Sequence, residues 1–259
     1  MIDLASLLAD ANDHAVAAGI ADATGAMLVD LIQTQDYERR WGGLEYEGDR
    51  RAHQMIVREL ARLRPDDMVL SEEGRDDRAR LDHDRVWIVD PLDGSSDYGY
   101  SPHWSVHVAL VEGGEPIAGA VAVPGWETTW STNPAPEPVP TDVPAGDAPR
   151  IVVSRARSRF DGYRLQEAIG ADIFTVGSAG VKAMAVVRGE VDAYVHGGGL
   201  YEWDSCAPVV VARAAGLECC HLDGAPLRFN KPDPWSPGLV ISRPGLVDSI
   251  VSVMGDRQP

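Results

Sequence analysis

The chain has 259 residues, 44% of them hydrophobic and 24% charged. That is enough length and apolar content for a buried core, and it excludes a disordered or fibrous chain. Forty acidic residues against twenty-three lysines and arginines leave a formal net charge of -17, a field that repels nucleic-acid backbones and anionic membrane surfaces. Cys206, Cys219 and Cys220 form no CxxC pair, so reduced thiols and a cytoplasmic setting are expected. No signal peptide or membrane span is expected after Met1.

The segment from Asp3 to about Ile32 is alanine-rich and repeats leucines at helical spacing. A second helix is predicted after Asp49, where Ala52, Met55, Ile56, Leu60 and Leu63 line one face before Pro65. Strands are predicted at Met68–Ser71, Arg85–Val89, Ser105–Val111, Ile117–Val123 and Thr128–Ser131. Helices followed by consecutive strands make an α+β half. A proline-rich stretch, residues 134–149, reads as a loop or linker between a first half, 1–133, and a second, 150–259. The second half alternates. Strands are expected at Ile151–Ser154, Phe174–Val176, Asp192–His196, Leu217–Leu222 and Leu239–Ser242, and helices at Tyr163–Ile169, Ala179–Arg188 and Asp204–Ala215. That alternation is the pattern of an α/β unit.

The chemistry concentrates in WIVDPLDGSSDY, Trp87 to Tyr98. An apolar strand ends in Asp90, Pro91 is expected to stop the ladder and force a turn, and Asp93 follows. Two carboxylates and the Leu92 carbonyl at such a turn suit a hard cation such as Mg²⁺ better than Zn²⁺. Gly94, Ser95 and Ser96 then offer amides and hydroxyls to a phosphate at a helix start. An Asp-Pro turn capped by its own side chains reads the same string without a metal. Glu72 and Glu73 follow the strand ending at Ser71. Asp204 and Asp49 each stand where a helix is expected to open, and a plain N-cap accounts for either one alone.

LSEEG, DPLDGSSDY and EWDSCAPVVVARAAG, in this order, resemble the signature blocks of the inositol monophosphatase-like, lithium-sensitive phosphatase superfamily. The resemblance implies a layered αβαβα sandwich. It also implies metal ligation by Glu72, Asp90, Asp93, Asp204 and the carbonyl of Leu92, with Glu73 the weaker neighbour of Glu72. Two or three Mg²⁺ ions are the implied cofactor and a homodimer the common assembly. Asp97 before Tyr98, the block Gly177-Ser178-Ala179-Gly180-Val181-Lys182 and the string WDSCAP are similar to the bisphosphate-nucleotidase branch, which acts on adenosine 3′,5′-bisphosphate formed during sulfate assimilation. Ser95 stands where that branch carries Thr, and EYEGD replaces its VTxxD block, keeping only Asp49.

The implied mechanism is in-line attack of a metal-activated water, with Glu72 and Asp90 at the metals and with Asp49 and Ser95 orienting or deprotonating the water. The substrate candidates are Gly94, Ser95, Ser96, Ser154, Arg155, Arg157, Lys182 and His196. Lys182 and Lys231 are the only lysines, which favours a buried or site-directed role for Lys182 over a solvated helix surface; His196 reads equally as a satisfied strand-end histidine, and His103 and His107 read as structural. An inositol phosphatase, a sugar bisphosphatase, a specialised nucleoside phosphatase of secondary metabolism and a catalytically silent phosphometabolite-binding protein are the alternatives.

Overall fold

The computed structural model describes residues 3–34, 43–144, 146–155 and 159–255. The chain opens with α1 (Leu4–Leu8), α2 (Asp13–Thr34) and α3 (Leu44–Leu63). The first helical segment is therefore broken, because Asn12 caps a new start by accepting the Ala15 amide through Oδ1 at 3.0 Å. The second helix begins five residues before the expected Asp49, at Leu44, with Glu45 and Glu47 in its first turn where the helix dipole favours acid. Asp49 is thus inside α3 and caps nothing.

The first sheet runs in the order β1 (Met68–Ser71), β2 (Arg85–Asp93), β3 (Ser105–Glu112), β4 (Glu115–Val123), β5 (Thr128–Ser131). Its β1–β2 pair is parallel and the other pairs are antiparallel. Contrary to expectation, β2 does not stop at Pro91. It continues to Asp93 through a register shift between Asp90 and Asp93, so Pro91, which lacks an N–H, sits in a bulge where no ladder bond is required.

The second sheet is built from β6 (Arg150–Ser154), β7 (Asp172–Val176), β8 (Ala193–His196), β10 (Glu218–Cys220) and β12 (Leu239–Ser242), in the order β10-β12-β8-β6-β7. Between these strands lie α4 (Arg159–Ile169), α5 (Ala179–Val187) and α6 (Glu202–Ala214), and α7 (Pro244–Gly255) follows them. A short ribbon pairs β9 (Leu200–Tyr201) with β11 (Trp235–Ser236). The ribbon and α7 have too little periodic signal, or too short a span, to stand out in the sequence.

Period-two alternation sorts the strand residues between helix layers. On β2, Trp87 and Val89 face the core shared with α2 and α3, while Val86 and Ile88 face the core that holds α5 and α6. On β6 and β8, Val152 and Tyr194 join that same middle core, whereas Ile151, Val153, Ala193 and Val195 join Leu165 of α4 and Ile250 of α7. The result is α1–α3, first sheet, α5–α6, second sheet, α4–α7: the layered αβαβα sandwich. Helix α2 is long and apolar enough to cross a membrane, but Val16, Ala17, Ile20, Ala21 and Leu28 are buried against the first sheet.

Small residues set the layer spacing. β4 turns Ala118, Ala120 and Ala122 toward α2, and a Cβ on Gly119 of β4 would stand 2.5 Å from Val210 Cγ1 of α6. Gly119→Ala is therefore expected to cost about 1–3 kcal/mol, or roughly 2–12 °C in thermal midpoint. Thermal unfolding of a double-mutant cycle with Val210→Ala checks the cause. The double variant should lose less than the sum of the two single losses, and strict additivity would contradict the contact.

Candidate active site

Asp90 continues the Val86–Ile88 face of β2 and so points into the middle layer, where α5 and α6 begin. There one carboxylate oxygen each from Asp90, Asp93 and Asp204 lies within 4.8 Å of the others. Asp90 and Asp93 are 1% and 7% exposed. Asp90 Oδ1 accepts the Leu92 amide at 3.1 Å, which ties down the bulge, and Asp90 Oδ2 is buried without a hydrogen-bond partner. Asp204 is the third residue of α6 rather than its cap. Its Oδ2 accepts the Tyr201 amide at 2.6 Å.

Asp93 has a different environment. Its Oδ2 accepts from Ser105 Oγ at 3.0 Å, from the Gly180 amide at 2.8 Å and from Ser178 Oγ, and His107 Nε2 is 3.4 Å away. His107 Nδ1 lies 3.1 Å from the Trp203 carbonyl. A carbonyl only accepts, so Nδ1 carries the hydrogen. Desolvation alone would raise Asp93, but hydrogen bonding to His107, the charges of His107 and Lys182 and the Ser178 hydroxyl outweigh it and hold the carboxyl well below its ordinary range.

At the other carboxyls burial and like charge outweigh the groups that favour ionisation. Burial, then the charges of Glu72, Asp93 and Asp204, pushes Asp90 well up. Burial and Asp93 push Asp204 to about 7. Burial and the charges of Glu73, Glu72 and Glu45 push Asp49 to about 7. Glu72 stands at the rim and is raised by desolvation and by Asp93 and Glu73. An all-oxygen donor set with a buried, unpaired carboxylate oxygen fits a hard divalent cation.

The segment opening α5 closes the site. Ser178 sits at φ 55, ψ 129, caps α5 through Oγ to the Val181 amide at 3.1 Å, and accepts the Lys182 ammonium on its carbonyl. A non-glycine residue in that region is strained, and here Asp93, the cap and Lys182 all hold it. A Cβ on Gly180 would stand 2.2 Å from His107 Nε2, and one on Gly177 would stand 2.0 Å from Asp97 Oδ2. Only glycine fits either place.

Lys182 is 3% exposed, which excludes the solvated-surface reading. Its Nζ lies 5.1 Å from the centre of the Tyr194 ring, and burial lowers its pKa to about 8. His196 is buried at the end of β8 with Nδ1 3.1 Å from the Tyr194 hydroxyl. Arg155 is half exposed and pairs with Asp97 at 2.6 Å, beside the turn in which Gly94 at φ 84 leads into Ser95 and Ser96. Ser154 ends β6 opposite Val176. Arg157 lies outside the described residues. Sequence reasoning did not single out Ser105 or Ser178 and set His107 aside as structural. The available signal was cross-strand register, since Ser105 and His107 pair with Asp93 and Asp90.

Residues 15–249 match the inositol monophosphatase family. The chain belongs to that family. Phosphatases of that family are metal-dependent, in keeping with the carboxylate cluster. The chain is 39% identical to the 3′-phosphoadenosine 5′-phosphate phosphatase of Mycobacterium leprae over 260 residues, covering 95% of this chain and 94% of that one. It is 29% identical over 201 residues to the 3′(2′),5′-bisphosphate nucleotidase CysQ of Escherichia coli, covering 74% and 82%. Among solved structures, CysQ of Bacteroides thetaiotaomicron superposes with a TM-score of 0.73 at 26% identity, over 90% of this chain and 97% of that one. The inositol monophosphatase of Anabaena shares the fold with a TM-score of 0.76 at 21% identity, over 95% and 96%.

The metal-free family member carries its own repulsion. Folding raises the proton affinity of Asp90, so the stability linked to that group is complete in acid and is lost as pH rises past its folded value. Asp90→Asn should therefore raise the thermal midpoint of the chelator-treated protein at pH 8 by about 3 °C, and by less at pH 5, because the raised proton affinity of the buried carboxyl favours its neutral form as pH falls. Differential scanning calorimetry at the two pH values checks this. A loss of stability at pH 8 would contradict it.

Proposed function

We propose that the protein is a Mg²⁺-dependent phosphomonoesterase that removes the 3′-phosphate of adenosine 3′,5′-bisphosphate to give AMP. The observation that carries this reading is the convergence of Asp90, Asp93 and Asp204 next to the Gly177–Lys182 segment. The 39% identity to mycobacterial enzymes named for that substrate supports it. The net charge of -17 supports a small-molecule substrate over a nucleic-acid polymer or a membrane. Free thiols at Cys206, Cys219 and Cys220 support a reducing cytoplasm.

Glu72, Asp90, Asp93, Asp204 and the Leu92 carbonyl would hold the cations. When bound, two or three Mg²⁺ ions neutralise the phosphate and supply a nucleophilic water. The bond that forms joins the water oxygen to phosphorus, and the bond that breaks joins phosphorus to the ribose 3′ oxygen, which takes up a proton from solvent to leave as the 3′-hydroxyl, in line and without a covalent phosphoenzyme. Asp49, raised to about 7, accepts the water proton near neutral pH, oriented with the Ser95 hydroxyl. Gly94, Ser95 and Ser96 present the turn to the transferred phosphate. Lys182, Arg155 and His196 supply positive charge and hydrogen bonds on the second-sheet side, joined in this reading by Ser154 and Arg157.

The direct test is phosphate release from adenosine 3′,5′-bisphosphate, AMP, inositol 1-phosphate and fructose 1,6-bisphosphate, with Mg²⁺ and with chelator. The nucleotide bisphosphate should be preferred and chelator should abolish turnover. Asp90→Asn should lower kcat by more than about 100-fold, the upper end for groups that merely support a metal ligand. Preference for inositol or sugar phosphate would overturn the substrate, and Mg²⁺-independent turnover would overturn the mechanism.

A further inference from the structure

Tyr201 and Trp235 pair directly across the β9–β11 ribbon. Directly opposed residues of an antiparallel pair project their side chains to the same face. Both are large aromatics left open to solvent, 42% and 46% exposed. Tyr201 also lies flat on Trp203, with ring centroids 4.8 Å apart and planes 8° from parallel. The ribbon therefore presents two exposed aromatic residues on one face, one of them stacked on Trp203.

This surface is fixed to the carboxylate cluster. The Tyr201 amide donates to Asp204 Oδ2 at 2.6 Å, and the Trp203 carbonyl accepts from His107, the neighbour of Asp93. On the other strand, Lys231 Nζ donates to the Trp235 carbonyl at 2.6 Å. The amides of Asn230 and Lys231 are held by the buried Glu202 carboxylate at 2.7 and 3.0 Å. Glu202 is the first residue of α6, two before Asp204. Both aromatic residues are thus pinned to the same helix start that carries a cluster carboxylate.

Phosphate-ester cleavage uses none of these rings. A chain of net charge -17 gives a doubly phosphorylated nucleotide little long-range attraction, so binding energy from an uncharged part of the substrate has particular value. Every nucleobase has a π-face that stacks on an aromatic side chain. We propose that Tyr201 and Trp235 form the stacking platform for the base of the nucleotide whose phosphate is split at the cluster, and so are specificity-determining residues. This rests on the nucleotidase reading above.

The test compares kcat/KM for adenosine 3′,5′-bisphosphate with that for glycerol 2-phosphate, an ester without a base, in wild type, Tyr201→Ala, Tyr201→Phe and Trp235→Ala. The alanine variants should lose roughly 5- to 100-fold on the nucleotide, chiefly through KM, so that the ratio between the two substrates falls. Tyr201→Phe should restore the ratio. Equal losses on both substrates would show that Tyr201 merely positions Asp204, and an unchanged ratio would leave the rings to another partner; either overturns the platform. A wild type without preference for the nucleotide would overturn the nucleotidase reading with it, whereas a preference that survives both alanine substitutions overturns the platform alone. Should Tyr201→Ala fail to fold, tryptophan fluorescence decides. AMP but not ribose 5-phosphate should quench the wild type, and Trp235→Phe should lose most of that response; quenching unaltered by Trp235→Phe overturns the proposal.

Discussion

Three carboxylates brought within 4.8 Å of one another, two of them almost fully buried, are the constraint around which this molecule is arranged. Burying a charge carries a penalty on the order of several kcal/mol per ion, and like charges at this distance add to it. A fold driven by stability alone would neutralise such a cluster with arginine. Here the basic partners are a buried lysine and a histidine that serve Asp93, while Asp90 Oδ2 has no partner. The same environment holds one carboxyl ionised and pushes its neighbours toward protonation. That is the division expected of a site built to receive cations.

The layers exist in the right places to assemble it. β2 brings Asp90 and Asp93 to the end of the first sheet through a bulge at Pro91. The second half of the chain sends the starts of α5 and α6 into the middle layer from the other side. Ser178 and the Gly180 amide lock Asp93 from α5, and Asp204 arrives on α6. Gly177 and Gly180 let these approaches close to distances that any side chain would prevent. Neither half contains the site, and the strained Ser178 is one of the contacts between them, beside the Arg155–Asp97 pair and the His107–Trp203 hydrogen bond.

Much of this was legible in the sequence. The β-strand positions followed from runs of Val, Ile and Ala, and Thr128–Ser131 and Leu239–Ser242 coincide with the observed strands. The acidic blocks marked Asp90, Asp93 and Asp204 before any geometry was known. What could not be read was relational. Asp49 looked like a helix cap because the acidic first turn at Glu45 and Glu47 carries no apolar periodicity, yet it starts the helix earlier. Pro91 looked like a strand end, since a lone sequence does not show that a bulge will take it. Lys182 is buried where its ammonium meets the carbonyls of Val176 at the end of β7 and Ser178 at the start of its own helix, with the Tyr194 ring of β8 beside it, a convergence that periodicity along α5 does not show. Ser105 and His107 acquire meaning only from their register against Asp93 and Asp90.

The carboxylate cluster is a site for metal ions, and everything proposed for the reaction depends on that. Anomalous diffraction from crystals grown with Mn²⁺ in place of Mg²⁺ tests this most directly. Peaks bounded by Asp90, Asp93 and Asp204, with the Leu92 carbonyl and Glu72 among the nearest oxygens, are the expected result. Density confined to other acidic surface groups, with the cluster closed on itself through shared protons, would contradict it.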